Sequence, residues 1–140
     1  MSNATASAGE YRTVDVCNLT GLSYRQLAHW ASSGLFIPSI MAPNGSGSRS
    51  LYSNKDVYIA RLLSDIIDLV GPLRNETLAA VVVSARVVMT GDTPETVYVT
   101  LGDESSAVSL SPPDGIAHIV IHPSPIIMKA QSDAEEASEQ

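Results

Sequence analysis

The chain has 140 residues, 44% of them hydrophobic but with only one Trp, one Phe and five Tyr. That allows one compact domain, or a small domain with an appendage, with a core built from Val, Ile, Leu and Ala. Eight Lys and Arg against 15 Asp and Glu give a formal net charge of −7, which argues against a broad phosphate-binding surface; the lone Cys17 excludes an intramolecular disulfide and a multi-cysteine metal site, and no apolar run reaches the roughly 20 residues of a membrane span.

Residues 1–10 are small and polar, lack a basic-plus-apolar signal pattern, and read as a disordered leader of a cytoplasmic protein. Thr13 is a good N-cap for a short first helix running to about Leu19, with Val16 and Cys17 on its inner face. Thr20-Gly21-Leu22 makes a turn. Ser23 with Gln26 three residues later is a capping-box pattern that starts a second helix. Leu27, Trp30 and Ala31 share the core face of that helix, which leaves Tyr24, Arg25 and His29 outward or sideways. Gly34 fits the left-handed position that closes the helix, and Pro38 stops its continuation.

Residues 41–50 have the Gly/Ser-rich composition of a loop tip, flanked by short β-pairing. Ser53 or Asn54 caps a third helix, with Asp56 in its first turn, where the helix dipole favours an acid. The apolar arc of this helix, from Val57 to Val70, is wide enough for a second buried face, and Gly71-Pro72 ends it. Asn75 is expected to cap a fourth helix reaching Met89. Its valine content is compatible with helix or strand, and we favour helix. This segment is apolar nearly all round and needs cover from more than one direction.

Beyond Gly91 come three β-branched runs separated by turn clusters: Val97–Leu101, Ala107–Leu110 and Ile116–Ile121. They predict a three-stranded antiparallel meander backed by the Val-rich helix. Pro123 and Pro125 end the last strand, Ile126–Ala130 suits a short helix, and residues 132–140 form an acidic tail. The fold class is therefore α+β. The expected units are 1–10 as leader, 11–72 as a winged helix-turn-helix, 73–123 as helix plus meander, and 124–140 as short helix and tail.

The charge is unevenly placed. Residues 1–75 hold six bases and five acids, whereas residues 76–140 hold two bases and ten acids. The acidity thus lies outside the helix-turn-helix half, where it would face away from DNA and limit non-specific binding.

Tyr11-Arg12, Thr20-Gly21-Leu22-Ser23-Tyr24-Arg25-Gln26-Leu27, Trp30, Gly34-Leu35, Pro38, Arg49, Tyr52-Ser53 and Asp56-Val57 stand in an order that resembles the MerR-type transcription regulators over roughly residues 11–89. Gly45-Ser46-Gly47 matches a branch with a Gly-Ser-Gly wing. The resemblance implies a dimeric, DNA-binding regulator. It places Tyr24, Arg25 and His29 on or beside the recognition helix, with Arg25 as the main contact. It makes Arg49 the backbone contact of the wing, beside Ser46 and Ser48 and supported by Tyr52, and lets Arg12 meet a phosphate near the first helix. The physics agrees, because an Arg at a helix start can grip phosphate or chelate guanine.

The chain also departs from the pattern. Ala28 stands where many members have a second Arg, and His29 where many have an aromatic. Ser48 and Ser50 flank Arg49 where related wings are richer in Arg. Past Met89 no heptad seam continues; the meander replaces the long dimerising coiled coil and effector domain of many members. The cysteines of metal-sensing members are missing.

Several residues have ordinary structural explanations. Trp30 keeps helical register with Leu27 and reads as a core anchor, and Cys17 as packing. His118 and His122, four residues apart on one predicted strand face, are separated by about 13 Å, too far to share a metal, and read as surface or interface histidines. No nucleophile is placed by a base and no phosphate-binding Gly loop is present, so neither an enzyme nor a cofactor is expected. The leading reading is a homodimeric DNA-binding regulator, paired through the fourth helix and meander. A winged-helix module that binds protein, a small DNA-bending recombination factor, and a small-molecule effector pocket between helix and meander are the alternatives.

Overall fold

In the computed structural model the described residues are 10–41, 50–90, 94–102, 106–115 and 117–122. The leader over residues 1–9, the loop tip over residues 42–49, the start of the third run at Ile116, and everything from Pro123 on lie outside them, and with them the short helix and tail expected there.

The chain opens with strand β1 (Tyr11–Arg12), followed by helices α1 (Thr13–Thr20) and α2 (Tyr24–Ser33). Arg12, not Thr13, is the N-cap of α1. The reason is Asp15, whose carboxylate accepts the Arg12 backbone N–H at 2.9 Å and so holds the chain one residue earlier. Gly21 takes φ +86° to leave the helix. The hydroxyl of Thr20 donates to the Val16 carbonyl at 2.7 Å and accepts the Leu22 N–H at 3.2 Å, so the turn between the helices carries its own internal bonds.

The capping box of α2 is present in both directions. Ser23 Oγ accepts the Gln26 N–H at 3.0 Å, and Gln26 Oε1 accepts the Ser23 N–H at 3.3 Å. At the other end Gly34 sits at φ +84°, and the Phe36 N–H returns to the Trp30 carbonyl at 3.1 Å.

Strand β2 (Leu51–Tyr52) pairs antiparallel with β1, setting Tyr11 against Tyr52 and Arg12 against Leu51. Leu51 also bridges to Met41, exchanging backbone bonds of 2.9 and 3.1 Å. Both legs of the loop are therefore fixed at its base. Ser53 caps α3 (Asn54–Val70) by accepting the Asp56 N–H at 3.1 Å. Almost every residue of α3 from Asp56 to Ile66 is buried, as the wide apolar arc requires.

Helix α4 (Asn75–Val88) is helical despite its valines and starts from Arg74 as N-cap, one residue before the expected Asn75. It buries Leu78, Val81, Val82 and Ala85, while Val83 and Val87 stay 63% and 67% exposed. Cover from more than one direction is therefore incomplete among the described residues.

Strands β3 (Val97–Leu101), β4 (Ser106–Ser109) and β5 (Ile119–Ile121) form an antiparallel sheet in the order β4-β3-β5. The three antiparallel strands match the expectation, but their order is not that of a meander. The segment after β4 carries the chain past β3, and Ile121 pairs with Val97 on the far edge. The outer edge of β4 is not available for β5, because α4 occupies it. Ser84 Oγ accepts the Val108 N–H at 2.8 Å and donates to the Val108 carbonyl at 3.2 Å.

One apolar cluster runs from Val16, Leu27 and Trp30 through α3 to Val81, Ala85, Val97, Val99 and Ile121. It crosses residue 72 without a break. Tyr58 strengthens that continuity, since its hydroxyl donates to the Pro94 carbonyl at 2.6 Å from a fully buried ring.

Candidate nucleic-acid interface

Helix α2 owes its orientation to its inner face. Leu27 is fully buried and Trp30 is 3% exposed, so the residues between them must point out. Tyr24, Arg25, Ala28, His29 and Ser32 are all exposed. Spacings of three and four residues put Arg25, His29 and Ser32 on one line and Tyr24 and Ala28 beside them. The exposed side of α2 is therefore a polar strip with one guanidinium and one imidazole, and Tyr24 adds an aromatic ring that is 66% exposed.

The base of the wing lies against α1 and α3. Arg12 is exposed, lies at the start of α1, and pairs with Leu51 across β1 and β2. Tyr52 is 1% exposed. Its ring packs on Phe36 with centroids 5.9 Å apart. Burial pushes its hydroxyl pKa up, a hydrogen bond with Thr13 acting the other way. Tyr52 is thus a supporting residue that ties the wing base to α1; its side chain offers no surface to a ligand. Ser46, Ser48 and Arg49 lie outside the described residues.

The base of the wing holds residues whose roles sequence reading missed. The carboxylate of Asp56 is fully buried. Its Oδ2 accepts the Ser39 N–H at 2.8 Å, the Ser39 hydroxyl at 2.7 Å and the Ser53 N–H at 3.0 Å. Its Oδ1 accepts an N–H of the Arg86 guanidinium at 2.9 Å. The second terminal nitrogen of that guanidinium donates to the Ile37 carbonyl at 3.1 Å, and the group lies 5.4 Å from the Phe36 ring centroid. Ser39 belongs to the leg that enters the wing and Ser53 to the leg that leaves it, so one carboxylate gathers both. In the sequence Asp56 signals only a helix start, and Arg86, 30 residues away, carries no local signal at all.

Cys17 is half-buried, and burial pushes its thiol pKa up, which disfavours the reactive thiolate. His118 and His122 flank β5; His118 meets the Tyr98 ring edge-on at 5.5 Å, and His122 Nδ1 pairs with the Thr96 hydroxyl at 2.9 Å. Among the described residues no group of three or more His, Cys, Asp or Glu could hold a metal ion, and no helix is long and apolar enough to cross a membrane.

Two short helices joined by a tight glycine turn, an open polar strip on the second, and a β-paired wing base define a winged helix-turn-helix. Residues 11–71 match the family model described as MerR HTH family regulatory protein, so this segment is a MerR-type helix-turn-helix domain. The match ends at the turn between α3 and α4, short of the 89 expected from the resemblance. Uncharacterized HTH-type transcriptional regulators of Mycobacterium bovis and of two strains of Mycobacterium tuberculosis are similar to the chain. Each is 41% identical to it over 58 residues, which is 41% of this chain and 26% of the relative. The chain thus matches about a quarter of the length of these curated relatives.

Proposed function

We infer that the protein is a MerR-type, DNA-binding transcriptional regulator acting in the cytoplasm. The observation that carries this reading is the exposed strip of α2, with Tyr24, Arg25 and His29 opposite the buried Leu27 and Trp30, inside the segment that matches the family. Helix α2 enters the major groove with Arg25 on a base edge or phosphate, while Arg12 and the wing residues Ser46, Ser48 and Arg49 follow the adjacent backbone. Tyr52 acts from behind by holding the wing base. The names of the mycobacterial relatives, HTH-type transcriptional regulators, support the same class of activity.

Two copies acting together supply the affinity that a single, lightly charged module lacks. Helix α4 and the sheet provide the pairing surface, since Val83 and Val87 form an exposed apolar pair one turn apart. A dimer predicts a pseudo-palindromic site. The test is selection of bound duplexes from a random-sequence DNA pool. Enrichment of a two-fold related sequence by the wild-type chain, lost on Arg25→Ala with the fold intact, is the expected result. Failure of any duplex to be enriched would remove the reading.

A protein-binding module is the second reading. It is favoured by the exposed Ala28 in the middle of the strip and by the net charge of −7. Binding insensitive to salt would point to it.

A further inference from the structure

We propose that Arg86, on α4 and outside the segment that matches the family, is the positioning residue that fixes the base of the wing between the recognition helix and α3. For DNA contact this rests on the reading above; for the geometry it stands alone.

The wing enters through residues 37–41, directly after α2, and leaves through residues 51–53, directly before α3. Backbone pairing between Met41 and Leu51 holds the legs to each other but not to the recognition helix. Beside the β1–β2 pairing and Tyr52, the Asp56 carboxylate at the start of α3 supplies a further attachment by taking three hydrogen bonds from Ser39 and Ser53. A carboxylate that is fully buried requires a compensating charge as well as donors. Arg86 provides it, at 2.9 Å, and is the one cation the described residues place against it.

The same guanidinium does more than neutralise. Its fork joins α3 to the segment that follows α2, with one arm on Asp56 and the other on the Ile37 carbonyl, and the group lies near the Phe36 ring, which in turn packs on Tyr52. A planar fork fixes two acceptors in one geometry, which a lysine ammonium on a flexible stem cannot reproduce. Arg86 therefore links α4 to the segment between recognition helix and wing, and α4 also carries Ser84, which holds the sheet.

The experiment uses the full chain as wild type, Arg86→Met and Arg86→Lys, and follows amide hydrogen exchange residue by residue. For Arg86→Met the amides of Ile40, Met41 and Leu51 at the wing base exchange about tenfold faster or more, while those of Leu62 and Leu63 in α3 keep their rates. Arg86→Lys keeps the charge, loses the fork, and falls between the two. Equal acceleration throughout α3 and the wing base, or none, overturns the proposal. If Arg86→Met does not fold, Arg86→Lys decides alone, and wild-type rates at the wing base then count against the fork.

A second arm measures binding to the duplex that the wild-type chain selects from a random DNA pool. Weaker binding by Arg86→Met, about tenfold and partly recovered by Arg86→Lys, is expected. Equal affinity would overturn the positioning role. If the wild-type chain selects no duplex, the regulator reading fails, and the exchange pattern still decides whether Arg86 holds the wing base.

Discussion

Buried polar side chains do the work of long-range fixation in this molecule. Ser64 Oγ on α3 donates to the Thr20 carbonyl at 2.9 Å, which seats the helix-turn-helix turn on the core. Asp56 gathers the wing legs, and Tyr58 crosses from α3 to the segment before β3. Each leaves a neighbour unpaired if removed, so its loss costs more than the bond's net contribution. Tyr58 also gives a pH signature. Burial raises its pKa above the ordinary value of 10.0. Below that value both folded and unfolded chains keep the proton and the stabilisation is complete. As pH rises through it the unfolded chain ionises first and stability falls, by at most about 1.4 kcal/mol per pH unit for this group. Tyr58→Phe should lose about 1 kcal/mol at neutral pH and show a shallower decline above pH 10 in urea unfolding. An unchanged alkaline slope would mean that the hydroxyl does not titrate as its burial implies.

Among the elements, those with local signals were legible in the sequence. Ser23 with Gln26 announced the start of α2, Gly34 its end, and the register of Leu27 and Trp30 its buried face. The α1 cap was misplaced by one residue because Asp15 reaches back to Arg12, and the α4 cap by one because Arg74, without a capping side chain, precedes Asn75. What the sequence did not reveal depends on contacts between distant segments. The strand runs were visible, but whether β5 pairs with β4 or β3 depends on which edge is free. Ser84 settles that by bonding both main-chain groups of Val108, in effect capping an edge that would otherwise recruit a strand. Ser84→Ala removes both bonds and slightly favours the helix. The expected net loss is about 1 kcal/mol, with faster exchange of the Val108 amide than of Val82 in α4. Slowing or no change at Val108 would show that the edge is held by packing alone. The outward placement of Tyr24, Arg25 and His29 on α2 was legible from helical spacing, whereas the Asp56–Arg86 pair was not, because no pattern relates α3 to α4 across 30 residues.

For the whole molecule, assembly and charge decide how the proposed function works. Val83 and Val87 are too exposed to contribute to the folded subunit and form an apolar pair on an outer face. On the proposed pairing through α4, Val83→Asp combined with Val87→Asp should convert a dimer to a monomer in light scattering and abolish the concentration dependence of the melting transition. A wild-type chain that already scatters as a monomer would contradict pairing through α4. With a net charge of −7, the proposed DNA binding through α2 would rest on few cations, and few contacts mean a small but definite salt slope. Three phosphate contacts per subunit correspond to a slope of about −3 in log K against log salt concentration. The most direct measurement is therefore the affinity of wild-type and Arg25→Ala chains for the selected duplex across a salt series. Arg25→Ala should bind more weakly, with a slope smaller by about one per subunit if Arg25 grips a phosphate, or with relaxed preference at one base pair if it reads a base edge. Unchanged affinity, slope and preference would show that the exposed strip of α2 is not the DNA-contacting surface.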